Sequence, residues 1–134
     1  MFDFHFDRAP TTEQLLDALA QAFSVPRESI LMVADITGDE DVKGLSLLCT
    51  SHRSDGEFPL HVSVYPQSDS VMLPTESEAA RFLCRSLEAR CLITDDRENP
   101  YTWLLVDVAG KRPVSVDPDA LESEVFILIR GSAI

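Results

Sequence analysis

Three groups of side chains in this 134-residue sequence have the chemistry of metal ligands or acid–base catalysts. In the first group, Asp3, His5 and Asp7 alternate with phenylalanines, and imidazole together with carboxylate suits zinc or another divalent ion. Side chains two residues apart on a strand lie roughly 7 Å apart, so three of them do not reach one ion unaided. The same alternation is typical of the solvated face of a surface strand, and we predict no bound metal.

The other two groups are acidic. Asp39-Glu40-Asp41 and Asp95-Asp96 supply the oxygen ligands that Ca²⁺ and Mg²⁺ prefer. The first segment lacks the spacing of an EF-hand, and solvated acidic loops are the simpler interpretation. Carboxylates also serve in acid–base catalysis, but nothing in the sequence places these in a pocket.

Nucleophilic chemistry has little support in the sequence. The residues to consider are His5, His52, His61, Cys49, Cys84 and Cys91. No histidine adjoins a nucleophile signature, and Cys84 falls on the apolar face of a predicted helix, as a core residue would. The five glycines form no phosphate-binding loop. We therefore predict no catalytic residue, no cofactor and no enzyme activity.

Composition is that of an ordinary globular domain. The hydrophobic fraction is 45%, the mean hydropathy is +0.00, and no apolar run approaches the ~20 residues of a membrane-spanning helix. The first residues, MFDFHFDRAP, show neither the basic start nor the apolar block of a signal peptide. An odd number of cysteines without such a signal favours a reducing compartment. We expect one cytoplasmic domain spanning residues 1–134.

The elements that must position these side chains follow from hydrophobic periodicity. Phe2, Phe4 and Phe6 alternate with polar residues, which predicts a half-buried strand. Thr11 and Gln14 then form a capping box at the start of a first helix.

Three strands are predicted next, over residues 30–36, 45–50 and 60–65. The last two are joined by a turn around an Asp-Gly pair, which is a strong hairpin signal. A second capping box, formed by Thr75 and Glu78, begins the second helix. Three consecutive strands between two helices indicate antiparallel hairpins rather than a parallel α/β sheet.

Four more strands are predicted, over residues 91–94, 101–108, 113–116 and 125–130. The second of these is the longest, and its Leu104-Leu105-Val106 run indicates burial on both faces and a central position. The order is β-α-β-β-β-α-β-β-β-β. The fold class is therefore α+β, a mostly antiparallel sheet with two helices.

Charge is the strongest compositional signal. Twenty-three acidic and eleven basic side chains give a net charge of −12. Such a surface repels nucleic acid and anionic membranes and attracts basic proteins. Acidity alone also keeps a small protein soluble.

Acidic residues concentrate in predicted turns, and two aromatic residues adjoin one of these turns. Aromatic side chains beside charge are favoured at the centres of protein interfaces. The predicted partner-binding residues are Asp39, Glu40, Asp41, Asp95, Asp96, Glu98, Tyr101 and Trp103.

Small size, strong acidity, the α+β pattern and the acidic turn ITDDRENPY together resemble bacterial immunity proteins. The resemblance extends over the whole chain and is one of type, without a diagnostic motif. It implies a one-to-one complex with a cognate toxin, often a basic nuclease, whose active site or other essential surface is blocked.

Two other functions stay open. The helix-strand-strand-strand-helix middle of the chain also resembles chaperones of type III secretion, which usually dimerise and hold an extended effector segment. A small enzyme or ligand-binding domain is the third hypothesis, and it requires a pocket rather than a motif. The sequence leaves the choice between monomer and homodimer open.

Overall fold

The computed structural model of the chain, which describes residues 1–69 and 71–129, has one sheet between two helices and a carboxyl-terminal segment. Seven strands are described: β1 (Phe2–Phe6), β2 (Ile30–Val33), β3 (Leu47–Arg53), β4 (Leu60–Pro66), β5 (Cys91–Thr94), β6 (Thr102–Asp107) and β7 (Gly110–Ser115). The helices are α1 (Thr12–Ala22), α2 (Glu76–Leu87) and the short α3 (Pro118–Leu121). The predicted α+β class, with a mostly antiparallel sheet and two main helices, is confirmed.

The strand order is β2-β3-β4-β1-β5-β6-β7, and β2 with β3 is the parallel pair of this sheet. The amino-terminal strand β1 therefore occupies the centre. Its residue His5 pairs with His61 of β4 on one side and with Leu92 of β5 on the other. β1 therefore has no open edge, and Phe126 and Trp103 pack on His5, so the polar residues of β1 are less exposed than their alternation predicts.

The central position was predicted for the segment Tyr101–Val108, and the structure places that segment elsewhere. β6, which it contains, is next to the edge strand β7. It has six residues, whereas β3 and β4 have seven each. Leu105 and Val106 are buried nonetheless, because the sheet is covered on both sides at this point.

The first core lies between the sheet and helices α1 and α2. Thr11 and Thr75 cap these helices, each accepting a hydrogen bond from the backbone three residues on. The predicted capping box is complete at Thr11, whereas at Thr75 the Glu78 carboxylate accepts from the Thr75 hydroxyl and not from its backbone N–H. Leu19 of α1 and Leu83 of α2 are fully buried against the sheet, where Phe4 is also fully buried. Within residues 1–69 and 71–129 no helix is long and apolar enough to cross a membrane.

The second core lies on the opposite face of the sheet, under the segment 116–129. Its buried residues are Phe58, Leu92, Leu105, Val114, Val116 and Phe126. The predicted strand at 125–130 forms two isolated bridges over its described residues, pairing Phe126 with Gly56 and Leu128 with Val116. Gly56 lies in the turn between β3 and β4, and Val116 follows β7, so no continuous ladder forms. Arg130, the last residue of that prediction, lies outside the described residues.

Gly56 allows this segment to approach the β3–β4 hairpin. Its φ is +99°, and a Cβ at this position would lie 2.5 Å from Val125 Cγ1. Next to it, the backbone N–H of Glu57 donates to the carbonyl of Phe126 at 2.9 Å. The Glu57 carboxylate accepts a hydrogen bond from the backbone N–H of Leu128 at 3.0 Å. The hairpin thus holds the segment over the face of the sheet that the helices leave uncovered.

Candidate functional site

Three histidines form a row across adjacent strands on the face opposite helices α1 and α2. His52 of β3 pairs with His61 of β4, and His61 pairs with His5 of β1. The His5 and His61 rings stack with their centroids 4.2 Å apart, and those of His52 and His61 are 6.3 Å apart. Cross-strand pairing thus brings together imidazoles that are far apart in the sequence.

Asp3 binds two of its neighbours on this face. Its Oδ1 accepts hydrogen bonds from Ser63 Oγ at 2.6 Å and from His61 Nε2 at 3.1 Å. The hydrogen bond from His61 is the main reason that the pKa of Asp3 is lowered, against the opposing effect of burial. Both donors meet the same carboxylate oxygen, so the arrangement stabilises the Asp3 anion.

His5 is the most enclosed of the three histidines. It is 6% exposed, and its ring lies 4.2 Å from that of Phe126 and 5.5 Å from that of Trp103, between centroids. Burial, reinforced by the charge of His61 and opposed by that of Asp3, lowers the pKa of His5 to about 3. At neutral pH its ring is therefore uncharged, with one N–H donor and one nitrogen that accepts.

Two grooves share His5 and His61. The histidine groove, of about 480 Å³, is lined by His5, His52, Arg53, Ser54, His61, Leu121, Glu124 and Phe126. The acidic groove, of about 470 Å³, is lined by Met1, Asp3, His5, His61, Glu76, Thr94, Asp96 and Trp103.

Three carboxylates from three different elements converge on the acidic groove. Asp3 belongs to β1, Glu76 is the first residue of α2, and Asp96 lies in the turn between β5 and β6. Burial raises the pKa of Glu76, and the charges of Asp3 and Asp96 raise it further. The Glu76 carboxylate accepts a hydrogen bond from the Asp3 backbone, which opposes this rise. The charge of the Met1 amino group opposes it as well and is the smallest of the causes. A helix N-terminus normally favours an ionised carboxylate, so the net rise reflects burial and mutual repulsion.

Replacing Glu76 with glutamine should therefore stabilise the protein at neutral pH. A carboxyl group whose pKa is raised on folding ionises less readily in the folded protein than in the unfolded chain, so it destabilises the folded state at neutral pH. The uncharged amide of glutamine removes this destabilisation. We expect a higher midpoint of urea denaturation for Glu76→Gln at pH 7, with the gain shrinking as pH falls and wild-type Glu76 becomes protonated. The exposed Glu28→Gln serves as a charge-matched control. A loss of stability at pH 7 would show that favourable contacts of Glu76 outweigh the repulsion.

Two of the predicted partner-binding residues, Asp96 and Trp103, meet in the acidic groove. Asp96 is exposed, with φ +60°, and Trp103 donates from its indole Nε1 to the carbonyl of Pro100 at 2.9 Å. Glu98 and Tyr101 are exposed on the same turn, and Tyr101 retains 38% of its accessible surface. This turn thus presents both charge and aromatic surface.

Asp95 lies in the same turn but points back into it. Its side chain is 6% exposed, and its Oδ1 accepts a hydrogen bond from the backbone N–H of Arg97 at 3.0 Å. Its Oδ2 lies 3.8 Å from Arg97 Nε. Burial raises the pKa of Asp95, but hydrogen bonds and the Arg97 charge outweigh that effect and leave it lowered. Asp95 therefore shapes the turn, whereas Asp96 faces solvent.

The structure does not bring Asp39-Glu40-Asp41 next to this turn. They lie in the connection between β2 and β3, and β4 and β1 separate that connection from the β5–β6 turn. Glu40 accepts hydrogen bonds from the backbone N–H and hydroxyl of Thr37 and from the N–H of Gly38. The hydrogen bonds from Thr37 are the main cause that lowers the pKa of Glu40 to about 2.

The alternating group Asp3, His5 and Asp7 is divided among different contacts. Asp7 binds Arg90, with 2.9 Å between its Oδ2 and Arg90 Nε, while Asp3 binds His61. Across the part of the chain that the structure describes, no three histidine, cysteine, aspartate or glutamate side chains are placed to hold a metal ion. In place of a metal centre, β1 contributes Asp3 and His5 to the grooves.

The cysteines are structural. All three are buried, and burial raises the pKa of Cys49 to about 12 and also raises that of Cys91. Cys84 Sγ donates to the carbonyl of Val106 at 3.4 Å. Thiols in such surroundings are poor nucleophiles.

Comparisons of this chain with protein-family models, curated proteins and solved structures found no match. The functional argument therefore rests on the geometry and charge of the two grooves and the turn beside them.

Proposed function

We propose that this protein binds a basic protein partner, and that it acts as an immunity-type inhibitor of a basic toxin. The observation that carries the proposal is the acidic groove, where Asp3, Glu76 and Asp96 converge beside Trp103. Burial and the charges of Asp3 and Asp96 raise the pKa of Glu76 in this cluster, and a bound cation would offset that repulsion.

The charge of the whole chain supports the same partner class. A net charge of −12 attracts a basic protein over distances of about a Debye length and accelerates the encounter. The acidic groove is the local site at which this general attraction would bind the partner.

Exposed apolar side chains occur in the segments around the groove. Tyr101 is 38% exposed in the β5–β6 turn, and Met72 and Leu73 are 88% and 52% exposed in the loop that leads to Glu76. Interfaces combine an apolar or aromatic centre with a polar rim, and this end of the sheet offers both.

The decisive experiment is capture of partners from the source cells with tagged protein at low and high salt, with the mass of the complex determined. A basic protein retained at 1:1, whose toxic activity is silenced in the complex, supports the proposal. A dimer of this chain holding an unfolded segment of a secreted protein would support the secretion-chaperone alternative instead. Recovery of no protein at either salt concentration would contradict both.

Once a partner has been identified, charge reversal at Asp96 tests whether the acidic groove is part of the interface. We expect Asp96→Lys to weaken capture about tenfold at low salt, and much less in high salt where the field is screened. The matched control is Asp55→Lys, since Asp55 is exposed in the β3–β4 turn at the opposite end of the sheet. Equal weakening by the two substitutions would show that only net charge matters and would remove the groove from the interface.

A further inference from the structure

We propose that the acidic groove is a receptor for one arginine side chain of the partner, an inference that rests on the proposed function. The groove offers carboxylates on three sides, from β1, α2 and the β5–β6 turn, with the Trp103 indole beside them. A guanidinium has five donors in a planar fork and stacks on aromatic rings, so it matches such a set of acceptors better than a compact ammonium does.

The buried imidazole of His5 is a second and independent observation. His5 is 94% buried, since 6% of its surface is exposed, and it lines the groove. Its ring contacts are with His61, Trp103 and Phe126, and among the described residues no hydrogen bond reaches its nitrogens. Among the described residues, the fully buried polar atom without a hydrogen-bond partner is Asp95 Oδ2, so the His5 nitrogens keep some accessible surface. A donor bound in the groove can therefore hydrogen-bond to the ring nitrogen of His5 that accepts.

The neighbouring network keeps the acceptors in place. Ser63 and His61 both donate to Asp3 Oδ1, which fixes that carboxylate on the floor of the groove. The Asp3 carboxylate has a second oxygen, Oδ2, which can accept from a ligand. His5 remains neutral in this environment, so it adds an acceptor without repelling a cation.

The test uses the full chain and two small probes of nearly identical shape, Nα-acetyl-arginine amide and Nα-acetyl-citrulline amide. Trp103 is the one tryptophan of the sequence, so its fluorescence and its single indole N–H resonance report on the groove directly. We expect saturable changes with the arginine probe and none with the uncharged citrulline probe.

Variants locate the site. Asp96→Asn and Glu76→Gln should each weaken binding of the arginine probe roughly fivefold, as expected for loss of one partly exposed charged contact. Asparagine tolerates the positive φ of position 96, so the turn should persist, and a melting curve for each variant checks folding. Asp55→Asn, the same substitution at the far end of the sheet, should leave binding unchanged.

Failure of this inference is distinguishable from failure of the proposed function. Absence of a saturable response, an equal response to citrulline, or equal weakening by Asp55→Asn would overturn the arginine receptor even if a basic partner is captured. Conversely, saturable binding of arginine with no basic protein captured would keep the receptor and overturn the proposed inhibitor.

Discussion

Lowering the pH from 7 to 4 should reduce the free energy of unfolding by about 3 kcal/mol through His5 alone. The pKa of His5 is about 3 in the folded protein, against an ordinary value of 6.5. Between pH 6.5 and pH 3, His5 is therefore protonated in the unfolded chain but neutral in the folded chain. Acid thus favours unfolding. This destabilisation by His5 is absent above pH 7 and reaches its full size once the pH falls below 3.

Comparison of variants isolates this effect from the carboxylates that titrate in the same range. In His5→Phe the aromatic packing against His61 and Phe126 is kept and the titrating group is removed, so urea denaturation between pH 4 and pH 7 should show a flatter profile. His52→Phe makes the same substitution at an exposed position on β3 and serves as the matched control. A slope as steep in His5→Phe as in wild type would show that His5 is not the group responsible.

Removing the Phe126 ring should cost about 3–4 kcal/mol of stability, which is a large fraction of the 5–15 kcal/mol typical of a domain. Phe126 is 7% exposed and packs on His5 and, at 5.1 Å between ring centroids, on Trp103. Phe126→Ala therefore leaves a cavity between the sheet and the segment that covers it. It also admits water to His5, so the pKa of His5 should rise toward its ordinary value.

The neighbouring residue provides the control. Ile127 lies on the same segment and is 37% exposed, so Ile127→Ala should cost less than about 1 kcal/mol. Chemical denaturation measures both costs, and titration of the His5 ring by NMR measures the pKa. Similar costs for the two variants, or an unmoved His5 titration, would mean that Phe126 does not seal this part of the sheet.

Local signals in the sequence predicted most of the elements. Alternation over Phe2–Phe6 predicted β1, and the capping residues Thr11 and Thr75 predicted the starts of α1 and α2. These signals depend on residues that are neighbours along the chain, where periodicity and hydrogen bonding of caps decide the conformation.

Strand neighbours could not be predicted in the same way. Alternation indicates one wet face for β1, but pairing with β4 and β5 and the cover provided by Phe126 bury His5 on that face. The segment at 125–130 has the apolar character of a strand, yet over its described residues it forms only isolated bridges with Gly56 and Val116. It therefore covers one face of the sheet and does not extend the sheet by a strand. Both outcomes depend on contacts between residues far apart in sequence.

The candidate site was predicted in part. Asp96 and Trp103 were selected from the acidic turn, and the structure places them in one groove. Glu76 was missed as a site residue because its sequence context explains it fully as a charge at a helix N-terminus. Asp95 was included because composition cannot distinguish a carboxylate that faces solvent from one that binds its own turn.

The central position of β1 also constrains how the chain is made. During synthesis on the ribosome, β1 emerges before either partner, since β4 begins at Leu60 and β5 at Cys91. A strand with three phenylalanines must therefore wait unpaired, and such late, long-range pairing slows folding and exposes the nascent chain to aggregation. Without β1 the sheet would separate into β2-β3-β4 and β5-β6-β7, each with a new open edge.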